Sequence, residues 1–292
     1  MSAKQLPCIL VTGASGFIGR NFLEAVKNDF RIHALARRPQ QEVGIPLHSN
    51  IKWYLVDIAD RNHLTKIFNE IRESGCVDYV FHLAGYYDFG NGPSPEYERT
   101  NVNGTRNVLE LTRSLAIKRF IFASSIAACN FPVPGTALTE DSPLDADYPY
   151  AWSKREGEKM IGEFSTHFPC SIIRFAAVFS DWCEYGVLYM FMNAWCSGRW
   201  NARILGGSGE SAIPFIHIRD LVKLVTIIID NTAVLPGYDI YLASPNGCIP
   251  HRQLFELSTR YYFGQSRKPI DMPKWLALIG VYGRDLLGRL IG

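Results

Sequence analysis

Short, predominantly apolar runs recur along the first 175 residues: Cys8 to Val11, Arg31 to Ala36, Ile51 to Val56, Tyr79 to Leu83, Phe120 to Ala123 and Ser171 to Phe175. Between them apolar positions return every three to four residues, the helical period, in a helix beginning near Phe17 and in Asn62 to Glu73, Glu98 to Leu115 and Tyr150 to Phe164. Continuous apolar strands alternating with helices are the mark of a parallel sheet covered on both faces, so the pattern predicts an α/β fold with a doubly wound parallel sheet. After Phe175 the alternation lapses. Residues 183–201 are rich in aromatics, a glycine turn follows at Gly206-Gly207-Ser208-Gly209, and Phe215 to Asp230 reads as a strand-to-helix unit that returns to the main sheet. The tail from Ile249 reads as small strands and helices. The expected division is a nucleotide-binding domain over 1–175, rejoined by 213–240, and a smaller C-terminal substrate lobe over 176–212 and 241–292.

Composition narrows the function classes. Of 292 residues, 47% are hydrophobic and 20% charged, which suits a globular chain with a substantial core. A net charge of +2 without a Lys/Arg run argues against a nucleic-acid partner. The seven cysteines show no metal-ligand or paired spacing and read as buried thiols in a reducing compartment, so no metal is expected. With no apolar leader and no run long enough to span a bilayer, the expected location is the cytoplasm.

The stretch CILVTGASGFIG, Cys8 to Gly19, carries the first chemistry. A strand that turns directly into a helix through Gly13, Gly16 and Gly19 brings bare backbone up to a pyrophosphate, whose charge meets the helix N-terminus. Ser15, Phe17 and Ile18 belong to the same candidate cradle. About 20 positions on, where NAD sites place an acid for the ribose, this chain has Arg37 and Arg38. Two guanidiniums suit a 2′-phosphate, so NADP is expected rather than NAD. Asp57, with Ile58, follows the third strand and is a candidate for the adenine amino group; Asp60 is the better helix cap. His82 reads as a structural strand-end histidine. The small residues after it, in Leu83-Ala84-Gly85, let backbone lie against a cofactor. Tyr150 and Lys154, four apart on a helix, share a face, and a nearby ammonium favours the phenolate. Ser124 and Ser125 end the fifth strand.

Together TGASGFIG, HLAG, TNVNGTRNV, FASS, YAWSK and FIHIRDL resemble the extended short-chain dehydrogenase/reductase family, which includes epimerase/dehydratase relatives, over about residues 8–225. The resemblance implies a Rossmann-type fold. It implies Tyr150 as catalytic acid/base, Lys154 as the group that lowers its pKa and binds the nicotinamide ribose, and Ser125, with Ser124 as fallback, on the reacting oxygen. It adds cofactor contacts at Thr100, Phe175 and Val178, and a homodimer built on the Glu98–Leu115 and Tyr150–Phe164 helices. The chain also departs from the pattern. Nucleotide-sugar enzymes of this type usually carry an Asn and an Arg where Ala177 and Ile213 stand. Dehydratases carry Thr-Asp-Glu where this chain has Ser125-Ile126-Ala127.

The loops beyond the strands, Tyr86-Tyr87-Asp88-Phe89, Phe131 to Pro134 and Tyr185 to Trp200, point to an apolar small-molecule substrate, although the last stretch equally suits a lobe's own core. The run from Trp275 to Gly292 is apolar with scattered basic residues and reads as a pocket cover, a bilayer-surface contact or a dimer contact. The expected activity is NADP(H)-linked interconversion of a secondary alcohol and a ketone or aldehyde, closest in character to the dihydroflavonol-reductase-like and 3β-hydroxysteroid-dehydrogenase-like branches. The alternatives are a sugar or nucleotide-sugar epimerase or dehydratase and, outside enzymes, an NADP-sensing scaffold.

Overall fold

The computed structural model describes residues 6–45, 47–75, 77–88, 92–132, 136–245, 247–273 and 275–276. In chain order the elements are β1 (Cys8–Thr12), α1 (Phe17–Val26), β2 (Arg31–Ala36), β3 (Ile51–Leu55), α2 (Arg61–Glu73) and β4 (Tyr79–His82). A π-helical segment, Tyr97–Gly104, runs into α3 (Thr105–Thr112), followed by β5 (Arg119–Ser125), α4 (Pro149–Phe164), β6 (Cys170–Phe175), β7 (Ala177–Phe179) and α5 (Gly186–Trp195). The remainder is β8 (Ile204–Gly206), β9 (Ala212–His217), α6 (Ile218–Asp230), β10 (Tyr238–Ala243), β11 (Cys248–Pro250), α7 (His251–Phe263) and β12 (Ile270–Met272).

The chain divides into two compact units, one of Met1–Ala176 with Ile218–Ala243 and the other of Ala177–His217 with Ser244–Gly292. The first holds a seven-stranded sheet in the order β10-β6-β5-β4-β1-β2-β3, parallel throughout. This is the Rossmann arrangement, with the strand order reversing between β1 and β4, where ligands of open α/β sheets sit. The strands are legible as apolar runs because both faces are covered: β1, β4 and β6 are buried at every residue. The core on one face packs Leu10, Val80 and Phe120 against Leu64, Phe68 and Ile71 of α2 and Val108 and Leu109 of α3. Asp60 caps α2 by accepting the His63 amide at 3.0 Å.

Three sequence expectations change. The strand before α6 pairs in the second unit's three-stranded sheet, ordered β11-β9-β7, and not in the main sheet. The seventh main-sheet strand is β10, part of which the sequence reading assigned to the lobe. It is held by a fully buried Arg119, whose guanidinium meets Asp239 at 3.1 Å, Ser171 at 3.0 Å and the Pro236 carbonyl at 2.8 Å. The helix expected over Glu98 to Leu115 is also not uniform, since its first half is π-helical.

The second unit has its own small core. Trp195 and Leu205 pack with Phe255, and the Trp195 ring lies 5.0 Å from Phe191 and 5.6 Å from Phe255. The aromatic stretch after β6 is thus partly this unit's core, while Trp182, Tyr189, Met190 and Trp200 remain exposed. Phe89, Val133 and Pro134 of the expected pocket loops, and the tail beyond Leu276, lie outside the described residues. Among the described residues no helix is long and apolar enough to cross a membrane.

Candidate active site

The glycine turn begins where β1 ends. Gly13 adopts φ +69°, a conformation L side chains rarely take, and a Cβ there would stand 2.7 Å from the Ala84 nitrogen. A Cβ on Gly19 would stand 2.4 Å from the Gly13 carbonyl oxygen. These two glycines let the segment after β4, the turn and α1 close on one another. Gly16 is the N-cap of α1 and no side chain caps the helix, so the amides at Phe17, Ile18 and Gly19 are left with the positive helix end to receive an anion. The Ser15 carbonyl accepts from the Arg38 guanidinium. Arg37, beside it, is exposed and has no hydrogen-bond or ion-pair partner among the described residues.

Asp57 follows the adjacent β3. One of its oxygens accepts the Ala59 amide at 2.9 Å and the other pairs with Arg99 at 2.9 Å. Ile58 points into the core, against the spot a Cβ on Gly104 would fill, and its carbonyl accepts from Asn107 at 3.0 Å. The Thr100 hydroxyl donates to Glu96 at 2.8 Å, so it meets a carboxylate of its own segment.

At the end of β4, buried His82 is wedged between Thr12 at 2.7 Å and Thr105 at 3.0 Å. The Thr12 hydroxyl also accepts the Ala84 amide at 3.2 Å, and a neutral imidazole exchanges one donated and one accepted hydrogen bond with the two threonines. Burial lowers the imidazole pKa to about 3. The histidine is therefore a neutral strut, and through Thr12 it holds the Leu83-Ala84-Gly85 backbone against the glycine turn. A Cβ on Gly85 would lie 3.5 Å from Asn101 Oδ1 and 3.7 Å from Lys154 Nζ, so its absence leaves a cradle with an ammonium on its wall. The residues present thus suit a dinucleotide: uncapped amides for the pyrophosphate, bare backbone along its path, and cations at both ends.

Ser125 is the last residue of β5; its hydroxyl accepts the Ala127 amide at 3.2 Å and faces the Tyr150 phenol closely enough to favour the phenolate. Tyr150 opens α4, whose first turn carries Pro149. Its ring meets Tyr87 edge-on at 4.8 Å and lies 6.3 Å from Tyr97. Burial among these rings pushes the phenol pKa above its ordinary value, and the neighbouring Ser125 hydroxyl pulls it part of the way down. Lys154, one turn on, donates to the Ala123 carbonyl at 2.8 Å, with Nζ 5.6 Å from the Tyr150 ring centroid. Burial brings the Lys154 pKa down to about 8. Burial is the largest influence on the phenol here, and the Lys154 hydrogen bond goes to the Ala123 carbonyl.

Alternation along β5 separates the two serines. Ser124 donates to Glu158 of α4, which forms a buried ion pair with Arg174 at 2.9 Å. Arg174 also donates to the carbonyls of Glu140 at 2.9 Å and Ser142 at 3.2 Å, which fastens the loop ahead of α4. Ser124 is therefore engaged structurally and Ser125 is the serine on the tyrosine. Phe175 ends β6 opposite Ser125. Val178 lies in β7, in the second unit.

One residue central to this arrangement stands inside TNVNGTRNV without a sequence signal of its own. Asn101 accepts the Tyr86 amide at 2.6 Å and donates to the Tyr86 carbonyl at 3.0 Å and to Ser153 at 2.9 Å. Ser153 in turn donates to the Tyr150 carbonyl at 2.8 Å. Asn101 thereby ties the loop after β4 to the helix that carries Tyr150 and Lys154. The second asparagine of TNVNGT, Asn103, showed as much polarity in sequence; only the π-helical register distinguishes them.

Comparison with known proteins agrees with this geometry. Residues 9–243 match the model of the NAD dependent epimerase/dehydratase family. The N-acetyl-alpha-D-glucosaminyl-diphospho-ditrans,octacis-undecaprenol 4-epimerase of Escherichia coli O157:H7 is 25% identical over 97% of this chain and 81% of its own length. A putative UDP-glucose 4-epimerase of Methanocaldococcus jannaschii is 27% identical over 74% of this chain and 71% of its own. In fold, the UDP-N-acetylglucosamine 4-epimerase of Methanobrevibacter ruminantium M1, solved with UDP-N-acetylmuramic acid, superposes with a TM-score of 0.74 at 22% identity, covering 92% of this chain and 85% of that one. The chain belongs to the NAD dependent epimerase/dehydratase family, whose members are NAD(P)-dependent enzymes acting on CH–OH groups.

Proposed function

We propose that this protein reversibly oxidises a secondary hydroxyl carbon of a sugar, in the manner of a 4-epimerase, with NADP as its dinucleotide. The observation that carries the reading is the grouping of Ser125, Tyr150 and Lys154 at the end of β5 and the start of α4, with Lys154 Nζ 5.6 Å from the Tyr150 ring centroid and 3.7 Å from the spot a Cβ on Gly85 would fill. The glycine turn and α1 N-terminus would hold the pyrophosphate, Arg37 and Arg38 a 2′-phosphate, and Lys154 the nicotinamide ribose. The bound nicotinamide supplies the hydride acceptor and donor. Ser125 would hold the reacting oxygen, and Tyr150 would take its proton during oxidation and return it during reduction. The raised phenol pKa keeps Tyr150 protonated at neutrality, which suits the reducing half.

The relatives' names support the sugar; the residues qualify how it is carried. Ala177 and Ile213 lack the polar groups that nucleotide-sugar enzymes usually place there, and the loop after β4 and the π-helical segment bring the rings of Tyr86, Tyr87 and Tyr97 near Tyr150. A sugar on an apolar diphosphate carrier, the class in the name of the Escherichia coli relative, fits both features. A second reading, direct NADPH-linked reduction of an apolar ketone, is favoured by the Arg37–Arg38 pair and the same departures. One assay separates them: incubation with UDP-sugars, a polyprenyl-diphosphate sugar and a ketone panel, following sugar configuration and reduced nicotinamide together. Inversion without net cofactor consumption supports the epimerase, and stoichiometric NADPH consumption by a ketone overturns it.

A further inference from the structure

Arg99 pairs with Asp57, the carboxylate that the sequence offers for an adenine amino group, and with Glu96. Its Nε donates to Glu96 Oε1 at 2.7 Å, and its terminal nitrogen donates to Glu96 Oε2 at 3.1 Å and Asp57 Oδ2 at 2.9 Å. Asp57 follows β3 and Arg37 follows the neighbouring β2, where Ala36 pairs with Leu55 and the Val56 amide donates to the Ala36 carbonyl at 2.8 Å. Two carboxylates therefore sit beside the arginine pair that would meet a 2′-phosphate, and one guanidinium bridges both.

We infer that Arg99 is a specificity-determining residue, which neutralises Asp57 and Glu96 so that the ground around Arg37 and Arg38 favours the 2′-phosphate of NADP over the bare 2′-hydroxyl of NAD. The inference rests on the reading that Arg37 and Arg38 receive that phosphate. With Arg99 present, Asp57, Glu96, Arg37, Arg38 and Arg99 sum to one positive charge; without it they sum to zero. The shape of the bridge matters as well, because a fork that bonds two carboxylates also keeps them from turning towards Arg37. The charge of Arg37 already reaches Glu96, whose carboxyl is held below its ordinary value by the hydrogen bond from Arg99 first and by Thr100 next, with Arg37 contributing least. Thr100 acts here through Glu96, holding the same oxygen that Arg99 shares. The π-helical register places Glu96, Arg99 and Thr100 together at the start of the segment, with Asn101 reaching the Tyr150 helix one residue later.

The test is fluorescence titration of the full chain with NADPH and with NADH, for wild type, Arg99→Met, Arg99→Lys, Glu96→Gln and the Arg99→Met/Glu96→Gln double variant. Wild type is expected to prefer NADPH. Arg99→Met should cut the NADPH-to-NADH preference roughly tenfold, the order that follows from removing one unit charge within about a Debye length of a phosphate at a solvent-facing site. Glu96→Gln should raise the preference, the double variant should return it towards wild type, and Arg99→Lys should keep most of it. A purely structural role would weaken both cofactors alike and leave the ratio fixed. If wild type prefers NADPH but the ratio moves in neither Arg99→Met nor Glu96→Gln, the inference fails alone. Glu96→Gln leaves the guanidinium in place and decides the matter even if Arg99→Met does not fold. A wild type that prefers NADH overturns the 2′-phosphate reading and this inference with it.

Discussion

Acidification should destabilise this protein through one buried imidazole. His82 is 1% exposed, hydrogen-bonds Thr12 and Thr105 through its two ring nitrogens, and burial lowers its pKa from 6.5 to about 3. Protonation would make both ring nitrogens donors, so that both threonine hydroxyls would have to accept, and would place a charge where burial disfavours it. Between pH 6.5 and about 3 the unfolded chain binds a proton that the folded chain does not, so stability falls as pH falls. From pH 7 to 5 this amounts to about 2 kcal/mol, at 1.36 kcal/mol per pKa unit. Urea unfolding at both pH values, on wild type and His82→Gln, measures it. The variant should start less stable and lose about 2 kcal/mol less on acidification. His33, also lowered, to about 4, contributes to both proteins and cancels from the difference. Equal pH dependence in the two proteins would refute the neutral, buried assignment of His82.

Two substitutions test the frame around the site. Gly19→Ala would place a methyl 2.4 Å from the Gly13 carbonyl oxygen and 2.8 Å from Ala14 Cα, backbone that cannot swing aside. It should cost roughly 1–3 kcal/mol and impair dinucleotide binding, whereas Gly237→Ala, with nothing within 4 Å of its Cβ, should change stability little; thermal melts and a cofactor titration compare them. Glu158→Ala strands the buried Arg174 guanidinium and the Ser124 hydroxyl, and should cost about 3–5 kcal/mol in chemical denaturation.

The main sheet was legible because its inner strands are covered on both faces, which leaves unbroken apolar runs such as Cys8 to Val11 and Ser171 to Phe175. β10 was not. It is an edge strand with Tyr238 40% exposed, and its place depends on Asp239 meeting Arg119, 120 residues away. The π-helical segment was hidden for a different reason. Tyr97, Thr100, Asn101 and Gly104 are buried at a spacing that also fits an ordinary helix, so the pattern does not report the wider turn that sets where Arg99 and Asn101 point. Ser125 and Tyr150 were readable as a pair, whereas what lowers or raises the phenol pKa depends on rings from the loop after β4 and the π-helical segment, a tertiary fact.

The most direct test of the proposed chemistry is turnover by wild type and Tyr150→Phe on the epimerase and ketone panel, with NADPH affinity measured on both proteins. Wild type should invert the sugar centre without net cofactor consumption, and Tyr150→Phe should bind NADPH almost as tightly yet show no turnover. A Tyr150→Phe protein that turns over at the wild-type rate would contradict the account.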